Sequence, residues 1–316
     1  MSHEIAKMID GRDAMAYVGE TPWHGLGQQL TSDAPLEVWA KESGLDFELA
    51  TSPVMYKSDE NETPLQFNSK TVMYRKDTKQ PLGVVSDKYK IVQPMEVLEF
   101  FRDMVGNIAN LETAGVLRDG ANYWALAKMD GEFNIAGDQV NQYLLLASSA
   151  DGSLSTQARL TSVRVVCNNT LQVATGYSGK AEATIRHNSV YRPEVMLEQL
   201  SNYNQAFKAF EQTAKILANI KLSSKQALGV FTKVLGGKEL NDSAPKVLRA
   251  LELYKGQGIG SQLESAKGTA WGALNAVTQL VDWETGRSDN ARLKTAWFGN
   301  GVNVKQQTVQ ELLLEA

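Results

Sequence analysis

The period of the apolar residues changes once along this chain, near Arg192, and that change limits the folds open to it. Before it, apolar and polar residues alternate in short runs: FELATSPVMY from Phe47, KTVMYRKD from Lys70, NYWALAKM from Asn122 and QVNQYLLLASSA from Gln139. Alternation at a period of two is the pattern of strands with one buried face. After it, Met196, Leu197, Leu200, Tyr203, Phe207, Phe210, Ala214 and Leu217 recur at helical spacing. The expected fold is α+β. An N-terminal, antiparallel β-rich core domain with a central helix spans 1–192, and a mainly helical C-terminal region, 193–316, packs on it.

Local signals punctuate this outline. Residues 1–30 read as irregular, with ETPWHGLGQQL anchored by its tryptophan. A helix is expected over Pro35–Ser43, stopped by Gly44. The central helix is expected to start at Pro94, with Glu96 and Glu99 near its N-terminus, and to close at Gly106. Asp119-Gly120 and Asp130-Gly131 read as turns between strands. TSVRVVCNNTLQVAT has strand spacing, but NNTL also fits a helix start. Further helices are expected at SSKQALGVFTKVLG, SAPKVLRALELYKG, SAKGTAWGALNAVTQLVDW and VKQQTVQELLLEA, with GQGIG as a loop.

Charge is unevenly divided. Residues 1–155 carry a net −10 and residues 156–316 a net +6, within a total of −4. A basic half suggests an acidic or nucleic-acid partner; an acidic half confines such contact to a local surface. The single cysteine, Cys167, rules out an internal disulfide and fits a reducing compartment. There is no apolar run long enough to span a membrane, and MSHEIAKMIDGRD lacks a signal-peptide core. The expectation is a cytoplasmic protein of a bacterial host cell.

Catalytic signatures are missing. His3, His24, His187 and Cys167 show no CxxC or HxxxH spacing, so no metal site is expected from them. Carboxylate-held magnesium stays open, since no particular constellation can be nominated. Cys167 sits in VRVVC, the setting of a buried structural thiol, more readily than that of a nucleophile paired with His187. GQGIGSQ and GGKE match neither phosphate-loop pattern. No cofactor is expected.

Between Ala147 and Arg192 the chain is rich in small polar residues, amides and arginines. Arg159, Arg164, Lys180, Arg186 and Arg192 offer phosphate contacts. Asn168 and Asn169 offer hydrogen bonds to phosphate or base edges. Tyr177 and Tyr191, joined by His187, offer faces for base stacking. Trp124, Trp271, Trp283 and Trp297 lie in apolar runs and read as core or interface residues.

Several stretches resemble the phage- and plasmid-borne family known as domain of unknown function 932: TPWHGLG (Thr21 to Gly27), GVVSDKYKIVQPMEVLEFF (Gly83 to Phe101), YWALAKM (Tyr123 to Met129), TSVRVVCNNTL (Thr161 to Leu171) and WETGRSDNARLKTAWFG (Trp283 to Gly299). That resemblance implies work on mobile DNA. The element order is similar in outline to Rad52-type single-strand annealing proteins, a likeness at the level of fold only.

The functional expectation is a non-enzymatic, homo-oligomeric single-stranded-DNA-binding protein that promotes strand annealing, with phage or host recombination proteins as partners. The alternative is a host-takeover or anti-defence factor that binds protein through its acidic N-terminal half.

Overall fold

The computed structural model describes residues 5–20, 25–59, 61–105, 109–164, 169–172, 182–200, 203–285 and 300–315. Among them the α+β class holds, with strands filling the first two thirds and helices the last. The main sheet contains β1 (Met15–Val18), β2 (Gln28–Leu30), β6 (Ala109–Leu117), β7 (Asn122–Ile135), β8 (Asp138–Ser149), β9 (Thr156–Arg164), β10 (Asn169–Gln172) and β11 (Glu182–Ile185). Its order is β10-β9-β8-β7-β6-β1-β2, with β11 also paired to β9. Every pairing is antiparallel except β1 with β2. A second sheet joins β3 (Leu49–Ser58), β4 (Asn61–Arg75) and β5 (Pro81–Ser86).

Strand alternation builds two apolar layers. Ala114, Val116, Tyr123, Ala125, Ala127, Leu144, Leu146, Ala158 and Leu160 belong to the main core. Their sequence neighbours Leu117, Trp124, Leu126, Tyr143, Leu145 and Ala147 form a separate cluster with Ile5 and Met15. The alanines on the first face let helices approach the sheet closely. There α2 (Pro94–Phe100) lies over β7 and β8 and α4 (Tyr203–Asn219) over β7, while α7 (Ala270–Gln279) and α8 (Asn300–Leu313) meet the sheet at β10. The remaining helices are α1 (Leu36–Glu42), α3 (Pro193–Gln199), α5 (Ser224–Leu235) and α6 (Pro245–Glu252).

α7 is buried on every side and ties the helical part to the sheet. Trp271 has no exposed surface, and its indole N–H donates to Asp138 Oδ2 at 2.8 Å, at the start of β8. Phe210 packs edge-on against both Trp271 and Phe133, from α4 to α7 and β7. Burying side chains of this size contributes about 1.5–3 kcal/mol each. Gly272 follows Trp271 because a Cβ there would lie 1.9 Å from the Ala266 carbonyl oxygen. Just past α7, in the π-turn Leu280–Glu284, Asp282 Oδ1 meets Lys305 Nζ of α8 at 2.5 Å, both side chains under one-tenth exposed.

Two local expectations change, and one left open between strand and helix is decided. Residues 1–30 are not irregular throughout, since β1 pairs with β6 and β2 with β1. Asp130-Gly131 is not a turn between strands. It lies inside β7, where the ladder slips between Lys128 and Glu132. The turn sits instead at Ala136-Gly137, both with positive φ. Asn169–Gln172 is a strand and not the start of a helix. The central helix does begin at Pro94, held by a reciprocal capping box between Gln93 and Glu96, and gives way to a π-turn over Phe101–Val105. Its expected stop at Gly106 lies outside the described residues.

Candidate nucleic-acid interface

Two segments far apart in sequence meet beside the main sheet. One is the link from β5 to α2, Asp87 to Gln93; the other joins β11 to α3, Arg186 to Arg192. In the first, the Tyr89 N–H bonds the Ser86 carbonyl at 3.0 Å, closing a turn that leaves Lys88 exposed and turns Tyr89 inward. In the second, the Ser189 N–H bonds the Arg186 carbonyl at 2.9 Å, with Arg186 exposed and His187 buried. The Lys90 N–H donates to the His187 carbonyl at 2.5 Å. The His187 ring returns the contact: Nδ1 lies 3.0 Å from the Lys90 carbonyl oxygen and Nε2 lies 3.0 Å from that of Leu154. Tyr89 stacks on this ring and donates its hydroxyl to the Ser149 carbonyl at 2.6 Å. Burial pushes the Tyr89 phenol up to about 12, so it remains a donor at neutral pH. Burial also holds the His187 imidazole below its ordinary 6.5, partly offset by the two carbonyls.

The outer side of this seam is basic. Lys88, Lys90, Arg186 and Arg192 are exposed, against Asp87 in the same segments and Glu194 just beyond, in α3. None of these four cations makes an ion pair among the described residues. Elsewhere arginines are neutralised: Arg118 by Asp151, Arg12 by Asp10 and Glu42, Arg249 by Glu252 and Glu284. Arg192 is held extended ahead of Pro193, the first residue of α3. Cations on a backbone already fixed by hydrogen bonds can take phosphate oxygens with little ordering cost.

The ten residues expected from sequence are distributed unevenly. Arg186 and Arg192 lie on the seam. Arg159 is half-buried in the middle of β9, in register with Leu145 of β8 and Glu182 of β11. Arg164 and Asn169 are paired in register on β9 and β10. Asn168, Tyr177 and Lys180 lie outside the described residues, as does Cys167. His187 is corrected from a surface contact to a buried clasp, because its ring stacks on Tyr89 and both nitrogens lie 3.0 Å from carbonyl oxygens, one of which the neutral ring can donate to. Tyr191 is no open platform either: its ring packs on the main core and its hydroxyl oxygen is buried with no hydrogen-bond partner among the described residues. Sequence reasoning missed Lys88, Tyr89 and Lys90; the one signal was that they lie in a motif shared with the resembled family. Trp124 and Trp271 are core residues, while Trp297 lies outside the described residues.

A concavity of about 630 Å³ lies between the N-terminal segment, the end of α1, the residues leading into β3 and the end of β4. Its charges largely cancel through Arg75–Asp77, Lys76–Glu48 and Lys7–Asp13. Among the described residues no three His, Cys, Asp or Glu side chains gather to hold a metal ion, and no helix is long and apolar enough to cross a membrane.

Fold and seam together define an α+β protein with a braced basic surface. Residues 81–297 match the family described as Domain of unknown function (DUF932), and the chain belongs to that family. The matched span contains both segments of the seam. No curated protein and no solved structure matches the chain.

Proposed function

We propose that this protein binds single-stranded DNA non-enzymatically and promotes strand annealing, as a homo-oligomer encoded by a phage or other mobile element. The observation that carries this reading is the set of exposed cations Lys88, Lys90, Arg186 and Arg192, without an ion pair among the described residues, on a backbone clasped by His187 and Tyr89. Single-strand binding needs a basic track and no catalytic group. Exposed Asn188 and Ser189, beside Arg186, add neutral hydrogen-bonding groups to the same track. The proposal also takes up the outline likeness, in the order of elements read from the sequence, to Rad52-type annealing proteins. In this reading the protein works in the bacterial cytoplasm beside phage or host recombination proteins.

The test is pairing of two complementary oligonucleotides, one carrying a fluorophore and one a quencher. The protein is expected to accelerate pairing, and the variant with all four seam cations replaced by alanine to lose most of that effect. Pairing no faster with protein than without it would remove the annealing function.

A further inference from the structure

The His187 ring is surrounded by groups that suit its charged form. Nδ1 lies 3.0 Å from the Lys90 carbonyl oxygen and Nε2 3.0 Å from that of Leu154. A neutral imidazole carries one N–H, so it donates to one of these oxygens and sets a lone pair against the other. An imidazolium donates to both. The Tyr89 ring, its centroid 4.3 Å away, offers the electron-rich face that a cation prefers. Burial opposes the charge, and so do the neighbouring cations. Arg186 precedes His187 in the chain, and Lys90 is bonded to it backbone to backbone.

The nearby acids do not supply the balancing charge. Asp151, on the link that carries Leu154, is paired with Arg118. Asp87 accepts from the Ser86 hydroxyl at 3.1 Å, and Glu96 of α2 accepts from the Gln93 N–H. Glu194 lies in the first turn of α3. Tyr89 keeps its proton at neutral pH. Among the described residues no carboxylate forms an ion pair with the ring. A chain of phosphates on Lys88, Lys90, Arg186 and Arg192 would bring the missing negative charge. We propose that the seam takes up a proton at His187 when it binds single-stranded DNA, so that acid tightens binding. This inference rests on the DNA reading proposed above and names the regulation of that site. The proton also completes the second hydrogen bond of the clasp, which holds its chain segments more firmly while the strand is bound.

The experiment follows the anisotropy of a labelled single-stranded oligonucleotide at neutral pH and well below 6.5. It compares the parent with His187→Gln, whose amide can donate to one carbonyl without titrating. Ionic strength is held constant, and circular dichroism checks folding at each pH. The parent should gain affinity toward acid by about threefold or more beyond the gain of the variant, since each unit by which DNA raises the imidazole pKa is about tenfold in affinity. His3 and His24 remain in both proteins and cancel in the comparison. Nuclear magnetic resonance of the parent's histidine rings, free and with the oligonucleotide, gives a second readout. The ring in contact with Tyr89 should titrate at higher pH in the complex. Equal gains in parent and variant, or a His187 titration that DNA leaves unmoved, would overturn the proposal and leave DNA binding standing. Were the variant to misfold, the ring titration alone would decide in the same way. No binding by the parent at any pH removes the DNA function and this inference with it.

Discussion

His187 lies face to face with Tyr89, ring centroids 4.3 Å apart and planes 14° from parallel, while its two nitrogens address the carbonyls of Lys90 and Leu154. One buried ring thereby fixes three chain segments and sets the backbone from which Lys88, Lys90 and Arg186 project.

That position makes stability depend on acidity. Burial keeps the folded imidazole below its ordinary 6.5, so on acidification the unfolded chain takes up the proton first. The stabilising contribution is complete above 6.5 and drains away as pH falls toward the folded value. Urea midpoints measured on either side of 6.5 should fall toward acid in the parent protein, with a smaller slope in His187→Phe. His3 and His24 remain in both proteins, so the difference isolates His187. At neutral pH the variant should be less stable by about 1–3 kcal/mol, having lost the groups that face two carbonyls. Equal slopes would show that His187 does not titrate differently on folding.

The Trp271–Asp138 bond joins the most buried helix to the main sheet. Trp271→Phe should cost about 1.5–3 kcal/mol by removing a hydrogen bond to a buried carboxylate, beyond any loss of packing. A double-mutant cycle with Asp138→Asn measures the shared part. Additive losses in that cycle would mean the bond contributes nothing to docking the helical part.

Lys305 of α8 and Asp282, in the π-turn Leu280–Glu284 that follows α7, form a buried pair. Lys305→Met should destabilise the protein measurably, because it removes the ammonium 2.5 Å from a carboxylate whose side chain is under one-tenth exposed. Replacing Asp282 by Leu in the same protein should recover most of that loss. Chemical denaturation of the single and double variants checks both statements. A single variant as stable as the parent would show that the carboxylate is compensated without Lys305.

Much of the architecture is legible in the sequence because it rests on periodicity. Tyr123, Ala125 and Ala127 alternate with Trp124 and Leu126 along β7, and both sets are buried on opposite faces. The start of the central helix is equally plain, since Gln93, Pro94 and Glu96 act within one turn. The Asp130-Gly131 turn misleads because a local dipeptide cannot report whether a neighbouring strand continues past it. Ala136 adopts positive φ against its own preference, held by the long ladder on either side. The seam is the least legible feature. His187 and Lys90 are 97 residues apart, and no local pattern encodes that meeting. Arginine content alone drew equal attention to Arg159, half-buried in β9, and to the exposed Arg186.

The central claim is that the seam binds single-stranded DNA through its cations. Anisotropy of a labelled oligonucleotide across a salt series, with an equal-length duplex beside it, tests this most directly. The parent protein should prefer the single strand and lose affinity steeply with salt. The variant Lys88→Ala/Lys90→Ala/Arg186→Ala/Arg192→Ala should bind more weakly, with the log–log salt slope shallower by about 2–3, at about 0.7 for each phosphate that is no longer neutralised. Identical curves for parent and variant, or no binding by the parent at the lowest salt, would contradict the account.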